Sequence, residues 1–243
     1  HLKVCGLRPI TISLDNYFVD REKNPKDESG HFDFESIKAL DLDLFNQHLV
    51  ALLHGKEIVV PEFSFEQGRR LQKGTPLRIY SDQILIIEGI HGLNNELTYL
   101  IPAENKYKIY VSLLTQANID DYHRISTTDS RLIRRIVRDK KYRGYSAKDT
   151  ISRWPSVKRG EVKWIFPYQE EADIMFNSAL IYELAVLKPF IKDLLLEIKP
   201  DEAEFSEANR LLKFLSLFKD ISPDGVSSVC ILREFIGGSI IQY

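Results

Sequence analysis

Cysteine and methionine are nearly absent from this chain. The two cysteines, Cys5 and Cys230, form neither a C-x-x-C pair nor a metal-spaced cluster, which suits a reducing compartment. No apolar run approaches the length of a membrane span and no signal peptide precedes the first strand, so a cytoplasmic location without membrane contact is expected. An excess of one charge is also missing. Against 35 acidic residues stand 33 basic ones, and the net charge of −2 gives no global basic field for nucleic acid. The six histidines show no H-E-x-x-H or other metal spacing, and neither Ser13 nor Cys5 has a triad context. With His1 first and Met175 its only methionine, the chain reads as a fragment, His1 then being a tag remnant.

What is present suits a globular protein. The 243 residues, 44% hydrophobic and 28% charged, can bury one large domain or a domain with an appendage. Residues 10–14 read as a strand, and 41–54 as a helix with Leu42, Phe45, Leu49 and Leu52 on one face and Gly55 at its C-cap. A short strand, 58–60, is expected to stop at Pro61, followed by a loop rich in Glu, Gly and Arg. The apolar runs 84–87 and 107–113 read as strands buried on both faces. A basic helix over 130–143, a strand over 172–176, a helix over 182–198 interrupted by Pro189 and an amphipathic helix over 202–219 complete the pattern. Strands alternating with helices predict an α/β fold with a doubly wound, mainly parallel sheet.

Two strand ends carry acids. Asp15 follows "ITISL" and Glu88 closes "ILIIE", just before Gly89. Ligands of open α/β sheets bind beyond the carboxyl ends of strands. Each acid alone is open to a plainer reading, Asp15 as a turn residue and Glu88 as a helix-capping acid. Together they make a base-plus-metal arrangement for phosphoryl transfer, in which an acid accepts the hydroxyl proton and Mg²⁺ bridges the phosphates. Cations are supplied by "SRLIRRIVRDKKYRG". Arg131, Arg135 and Arg138 share one helix face, opposite Leu132, Ile133, Ile136 and Val137, and Arg143 precedes Gly144. The pattern suits a solvated basic face as well as a lid closing on phosphate. Trp154, Trp164 and Phe166 near Lys158, Arg159 and Lys163 could stack on a single-stranded nucleic acid, but read better as packing for the segment after the lid.

The ordered stretches "ITISLDNYF", "GHFDFESIKALD", "GKEIVVPEFSFEQGRR", "ILIIEGIHGLN" and "RLIRRIVRDKKYRG" resemble the uridine kinase and phosphoribulokinase family of P-loop kinases, over about residues 8–243. The later part is most similar to the bacterial uridine kinase-related proteins. The resemblance implies ATP and Mg²⁺ as cofactors and phosphorylation of a hydroxyl on a nucleoside-like or sugar-like molecule. It implies a kinase core over 1–199, with a helical lid over about 128–170, and a helical appendage over 200–243. Asp15 matches the family's catalytic base, Asp33 the acid holding ribose hydroxyls, and Glu88 the Mg²⁺-associated acid. Arg135, Arg138 and Arg143 match lid arginines that approach acceptor and nucleotide phosphates. Phe18, Phe63 and Arg70 fall with Asp33 among the acceptor-binding positions.

Departures from the family qualify the substrate. Uridine kinases read the base with a segment like P-x-Y-D-F-x-x-H-x-R. Here "PEFSFEQGRR" puts Phe63 for the tyrosine, Ser64 for the aspartate and Gly68 for the histidine, and Phe18 replaces another tyrosine. A site that hydrogen-bonds a base cannot lose those groups and keep its selectivity, so a polyol, a sugar phosphate or another nucleoside is open. The sequence contains no G-x-x-x-x-G-K-[ST] phosphate loop, and "HLKVCGL" reads as the last turns of the helix that follows it in the family. As printed the chain is expected to bind ATP poorly. Two readings stand: a kinase for a hydroxyl-bearing small molecule, or a catalytically silent kinase-like module that senses nucleotide or serves an RNA-linked regulatory role. Oligomeric state is left open, a homo-oligomer included.

Overall fold

The computed structural model describes residues 2–26 and 30–241; His1, read as a tag remnant, lies outside them. The chain divides into two units, His1–Tyr110 with Arg159–Ile174, and Val111–Lys158 with Met175–Tyr243.

The first unit begins with a helix-ending pattern. Gly6 (φ +82°) donates its N–H to Lys3 O at 3.1 Å and Leu7 donates to Leu2 O at 3.0 Å, the paired bonds of a Schellman motif, although residues 2–6 form turns and not a helix. Strand β1 (Arg8–Ser13) pairs in parallel with β4 (Gln83–Glu88), from Arg8 opposite Gln83 to Ser13 opposite Glu88. The expected strand stops one residue early, because Leu14–Tyr17 turn into a 3₁₀ helix capped by the Ser13 side chain. Helix α1 (Leu42–Leu53) forms as expected, with Asp41 Oδ1 accepting from Leu44 N at 3.0 Å and Gly55 in the left-handed region at its end. Phe45, Leu49 and Leu52 bury its inner face with Ile12, Leu14, Tyr17, Ile37 and Leu97.

Two expectations fail here. Pro61 does not stop its strand. β2 (Ile58–Ser64) runs through it and forms an antiparallel hairpin with β3 (Arg69–Leu77), where a loop was expected. The register shifts between Pro61 and Phe63, an irregularity of the kind that accommodates a residue without an N–H. Opposite Pro61 sits Gly74, where a Cβ would stand 2.5 Å from Val60 O. Nor is the 84–87 run buried on both faces. Ile84 is 42% exposed and Leu85 to Ile87 are half-buried, because among the described strands β4 has only β1 beside it.

The second unit is helical. α2 (Thr127–Arg143) ends at Gly144 (φ +68°) and buries Leu132, Ile133, Ile136 and Val137. α4 (Glu183–Leu196) and α5 (Phe205–Leu215) supply Leu187, Ile191, Leu195, Leu211 and Leu215 to the same core, and α6 (Arg233–Ile236) adds Phe235. Arg134 and Glu183 form a buried ion pair, with Arg134 Nε 3.0 Å from Glu183 Oε1 and Arg134 Nη2 2.8 Å from Ser178 O. Pro189 does not interrupt α4. Without an N–H it leaves Ala185 O free, and Ile221 N donates to that carbonyl at 3.2 Å. A further helix, α3 (Ala147–Trp164), falls within the expected helical lid, although the sequence reading gave it no bounds, and carries Pro155 within it. β5 (Ile109–Ser112) pairs with β6 (Ile174–Asn177). The 107–113 run is not buried on both faces as expected, since Tyr107, Ile109 and Val111 are exposed and β6 is the only described strand beside it. The α/β class holds, and the sheets are mixed rather than mainly parallel.

Candidate active site

In the first unit the register of β1 and β4 fixes the two acids. Glu88 is the last residue of β4, opposite Ser13, and Asp15 lies two residues beyond Ser13, so both stand at the carboxyl edge of one parallel pair. Both residues are exposed. Gly89 allows this closeness: a Cβ there would stand 2.7 Å from Leu14 Cδ1, and its φ of +152° disfavours any side chain. Asp15 is held in its turn from the rear. Tyr17 is wholly buried, packs edge-on against Phe45 at 4.8 Å, and its hydroxyl lies 3.0 Å from His48 Nδ1. Burial pushes the Tyr17 hydroxyl up to about 12 and the His48 imidazole below its ordinary value, so both are neutral at pH 7.

Phe18, Phe63 and Arg70 come together. Phe18, Phe63 and Phe65 form a triangle of rings with centroids 5.3–5.9 Å apart. Arg70, opposite Phe63 in the hairpin, turns its guanidinium onto the backbone instead. Nε donates to Phe18 O at 3.1 Å, Nη2 to Tyr17 O at 3.0 Å and Nη1 to Asp41 Oδ2 at 2.9 Å. Gly68 has φ +67°, and a Cβ there would meet Arg21 Nε at 2.7 Å, so Arg21 covers this end of the hairpin. Arg21 also donates its N–H to Gly68 O at 2.7 Å and Nη2 to Phe65 O at 3.1 Å.

Asp33 belongs to another contact set of the same unit. Its Oδ1 accepts from Glu35 N at 3.2 Å, and Oδ2 lies 3.8 Å from Lys163 Nζ, which sits 4.9 Å over the Trp164 ring. His91, two residues past Gly89, is buried beside Trp164, and burial lowers its pKa to about 4.

Arg135, Arg138 and Arg143, expected as lid arginines, belong to the second unit and gather on one acid. Asp139, 2% exposed, accepts from Arg135 Nε and Arg143 Nη1, each at 3.3 Å, and lies 3.8 Å from Arg138 Nε. Thr150 Oγ1 donates to it at 3.4 Å, and Glu234 lies 3.9 Å from Arg138. Burial lowers the Arg138 pKa, with the charge of Arg143 adding to the shift. Asp139 was missed in the sequence, although its spacing of four residues from both Arg135 and Arg143 was visible there. Asp41, Tyr17 and His48 were missed as well, and only Asp41 left a signal, as a helix cap.

The sequence model of the Phosphoribulokinase / Uridine kinase family matches residues 9–184. The chain belongs to that family. A uridine kinase of Halobacterium salinarum is 27% identical over 171 residues, 70% of this chain and 68% of that protein. One of Lactobacillus helveticus is 31% identical over 170 residues, 69% of this chain and 72% of its own length. The uridine kinase of Saccharomyces cerevisiae is 30% identical over 173 residues, which cover 70% of this chain but 31% of the yeast protein. A solved structure described as a fructose transport system kinase, from Silicibacter sp. TM1040, has 13% identity and a TM-score of 0.47 over 72% of this chain and 78% of its own, too distant to bear on the fold. Family membership supports a P-loop kinase-like, ATP-dependent phosphotransferase. Among the described residues no helix is long and apolar enough to cross a membrane.

Proposed function

We propose that this protein transfers a phosphoryl group from ATP to a hydroxyl of a small, diol-bearing acceptor. The observation that carries the reading is the β1–β4 register, which sets Asp15 and Glu88 at one sheet edge in a chain of this family. Asp15 is the base for the acceptor hydroxyl. Asp33 binds the diol, and Phe18 and Phe63 offer the acceptor an apolar face in place of base-reading hydroxyls. Arg135, Arg138 and Arg143 neutralise phosphate charge, in a lid over about residues 128–170. Asp139 keeps their guanidiniums gathered.

Mg²⁺ is commonly bound by one or two carboxylates with water and phosphate oxygens completing its shell, so a single exposed carboxylate at the sheet edge suits it. Glu88 would be that carboxylate. Bound there with ATP, the ion would offset the negative charge of the phosphates. This chain's own residues place the acceptor hydroxyl at Asp15 and take its proton there.

Asp15→Asn tests the reading. In a chain that carries the family's phosphate loop it should lower kcat for phosphate transfer by roughly 10²–10⁴-fold while the protein stays folded, the usual worth of a general base. An unchanged rate would remove Asp15 from the chemistry. Absence of any transfer by a chain that carries the family's phosphate loop would favour a silent, nucleotide-sensing or RNA-linked module, the reading that the lost base-reading groups at Phe63, Ser64 and Gly68 keep open.

A further inference from the structure

Arg70 falls at an acceptor-binding position of the family motif, yet three of its N–H groups are spent inside the protein. Two go to the carbonyls of Tyr17 and Phe18, the residues that close the Asp15 turn, and the third goes to Asp41. The side chain is only 25% exposed. Tyr17 O also accepts from Asp41 N at 2.9 Å, and Val19 N donates to Ala39 O at 2.8 Å, so residues 17–19 lie along 39–41 as well. Asp41 in turn caps α1 with its other oxygen. The backbone N–H of Arg70 donates to Asp20 Oδ1 at 3.2 Å and holds that carboxyl below the usual range. One residue of the hairpin therefore fastens the strand bearing Phe63, the turn bearing Asp15 and the start of α1.

We propose that Arg70 is a positioning residue that couples the acceptor-facing hairpin to the Asp15 turn, with Asp41 as its counter-ion, rather than a direct ligand of the acceptor. This rests on the reading of Asp15 as base. A guanidinium suits the task because its rigid fork satisfies two carbonyls and a carboxylate at once, whereas an ammonium is a single point of charge. Movement of the hairpin then moves the base, and a misplacement of about 1 Å is enough to cost on the order of 10²-fold in rate.

Steady-state kinetics of Arg70→Lys in a chain that carries the family's phosphate loop, with ATP and uridine as the probe acceptor, separate the alternatives. Positioning predicts a kcat lower by roughly 10²-fold with KM for uridine nearly unchanged. A raised KM with kcat preserved would make Arg70 a ligand and overturn the proposal. Asp41→Asn keeps the helix cap, since Asn caps as well as Asp, but removes the counter-ion. It should lower kcat in the same direction and combine non-additively with Arg70→Lys; additive effects would count against the coupling. Asp15→Asn, run alongside, separates failures. If it leaves kcat intact the base assignment fails, and if it alone lowers kcat the positioning role fails. Amide exchange supplies a readout independent of turnover. Protection of Val19 and Asp41 should drop in Arg70→Lys while that of β1 and β4 is retained, and unchanged protection would also overturn the coupling.

Discussion

At position 89 one missing Cβ decides how closely two strand ends approach. A Cβ would stand 2.8 Å from that of Leu14 and 2.7 Å from its Cδ1, and Leu14 is buried in the core, so it has no free space to retreat into. Gly89→Ala combines this clash with an unfavourable φ. It should destabilise the protein by about 1–3 kcal/mol. That corresponds to a fall in Tm of roughly 2–12 °C for a chain of this size, measurable by calorimetry. The displaced Leu14 adjoins Asp15, so phosphate transfer should fall with stability. An unchanged Tm would mean that the first 3₁₀ turn has slack that the packing does not show.

In the proposed function the hairpin is the element on which acceptor choice depends. Phe18 and Phe63 present rings where the family motif has tyrosines, Phe65 stands at the motif's own phenylalanine, and a carboxylate remains at Asp33. Apolar slots discriminate among related ligands by only about 10–200-fold, while a site built to bond a hydroxyl rejects its absence by about 10⁴-fold or more. Phosphate transfer should therefore vary modestly among uridine, cytidine and adenosine and collapse with deoxyuridine. Strong preference for uridine would place the base-reading groups elsewhere. This hairpin was also the element least legible in the sequence. Pro61 stands in mid-strand, and its tolerance depends on Gly74 and a shifted register across the ladder, which no local pattern announces. α1 and α2 were legible because period and cap agree, with Asp41 and Gly55 bounding one and Gly144 ending the other. α3 carries Pro155 and Gly160, two residues that disfavour a helix interior; the glycine is needed because a Cβ would meet Glu35 Cβ at 2.6 Å. Asp15 and Glu88 could be read from strand ends, whereas Arg70 could not, since its partners lie 29 to 53 residues away.

For the molecule as a whole, mild acid is a selective stress. His91 is 2% exposed, and burial holds it unprotonated down to about pH 4, against 6.5 for an ordinary imidazole. Between those values the unfolded chain binds the proton that the folded one refuses, so stability is lost as pH falls from 6.5 toward 4. The shift corresponds to roughly 3 kcal/mol, and His48, lowered by burial as well, acts in the same direction. Thermal unfolding between about pH 7 and pH 4 should show Tm falling with acid, and falling less in His91→Gln. Equal slopes would mean that His91 is solvated in the folded protein. The order in which the two units occur along the chain carries another consequence, for synthesis. The first unit is interrupted at Tyr110 and resumes only at Arg159, and its core takes Trp164 from the second piece. A ribosome must therefore deliver a long stretch of the second unit before the first has all its parts. Neither unit could be lifted out as one uninterrupted gene segment, and recombination would have to exchange them together.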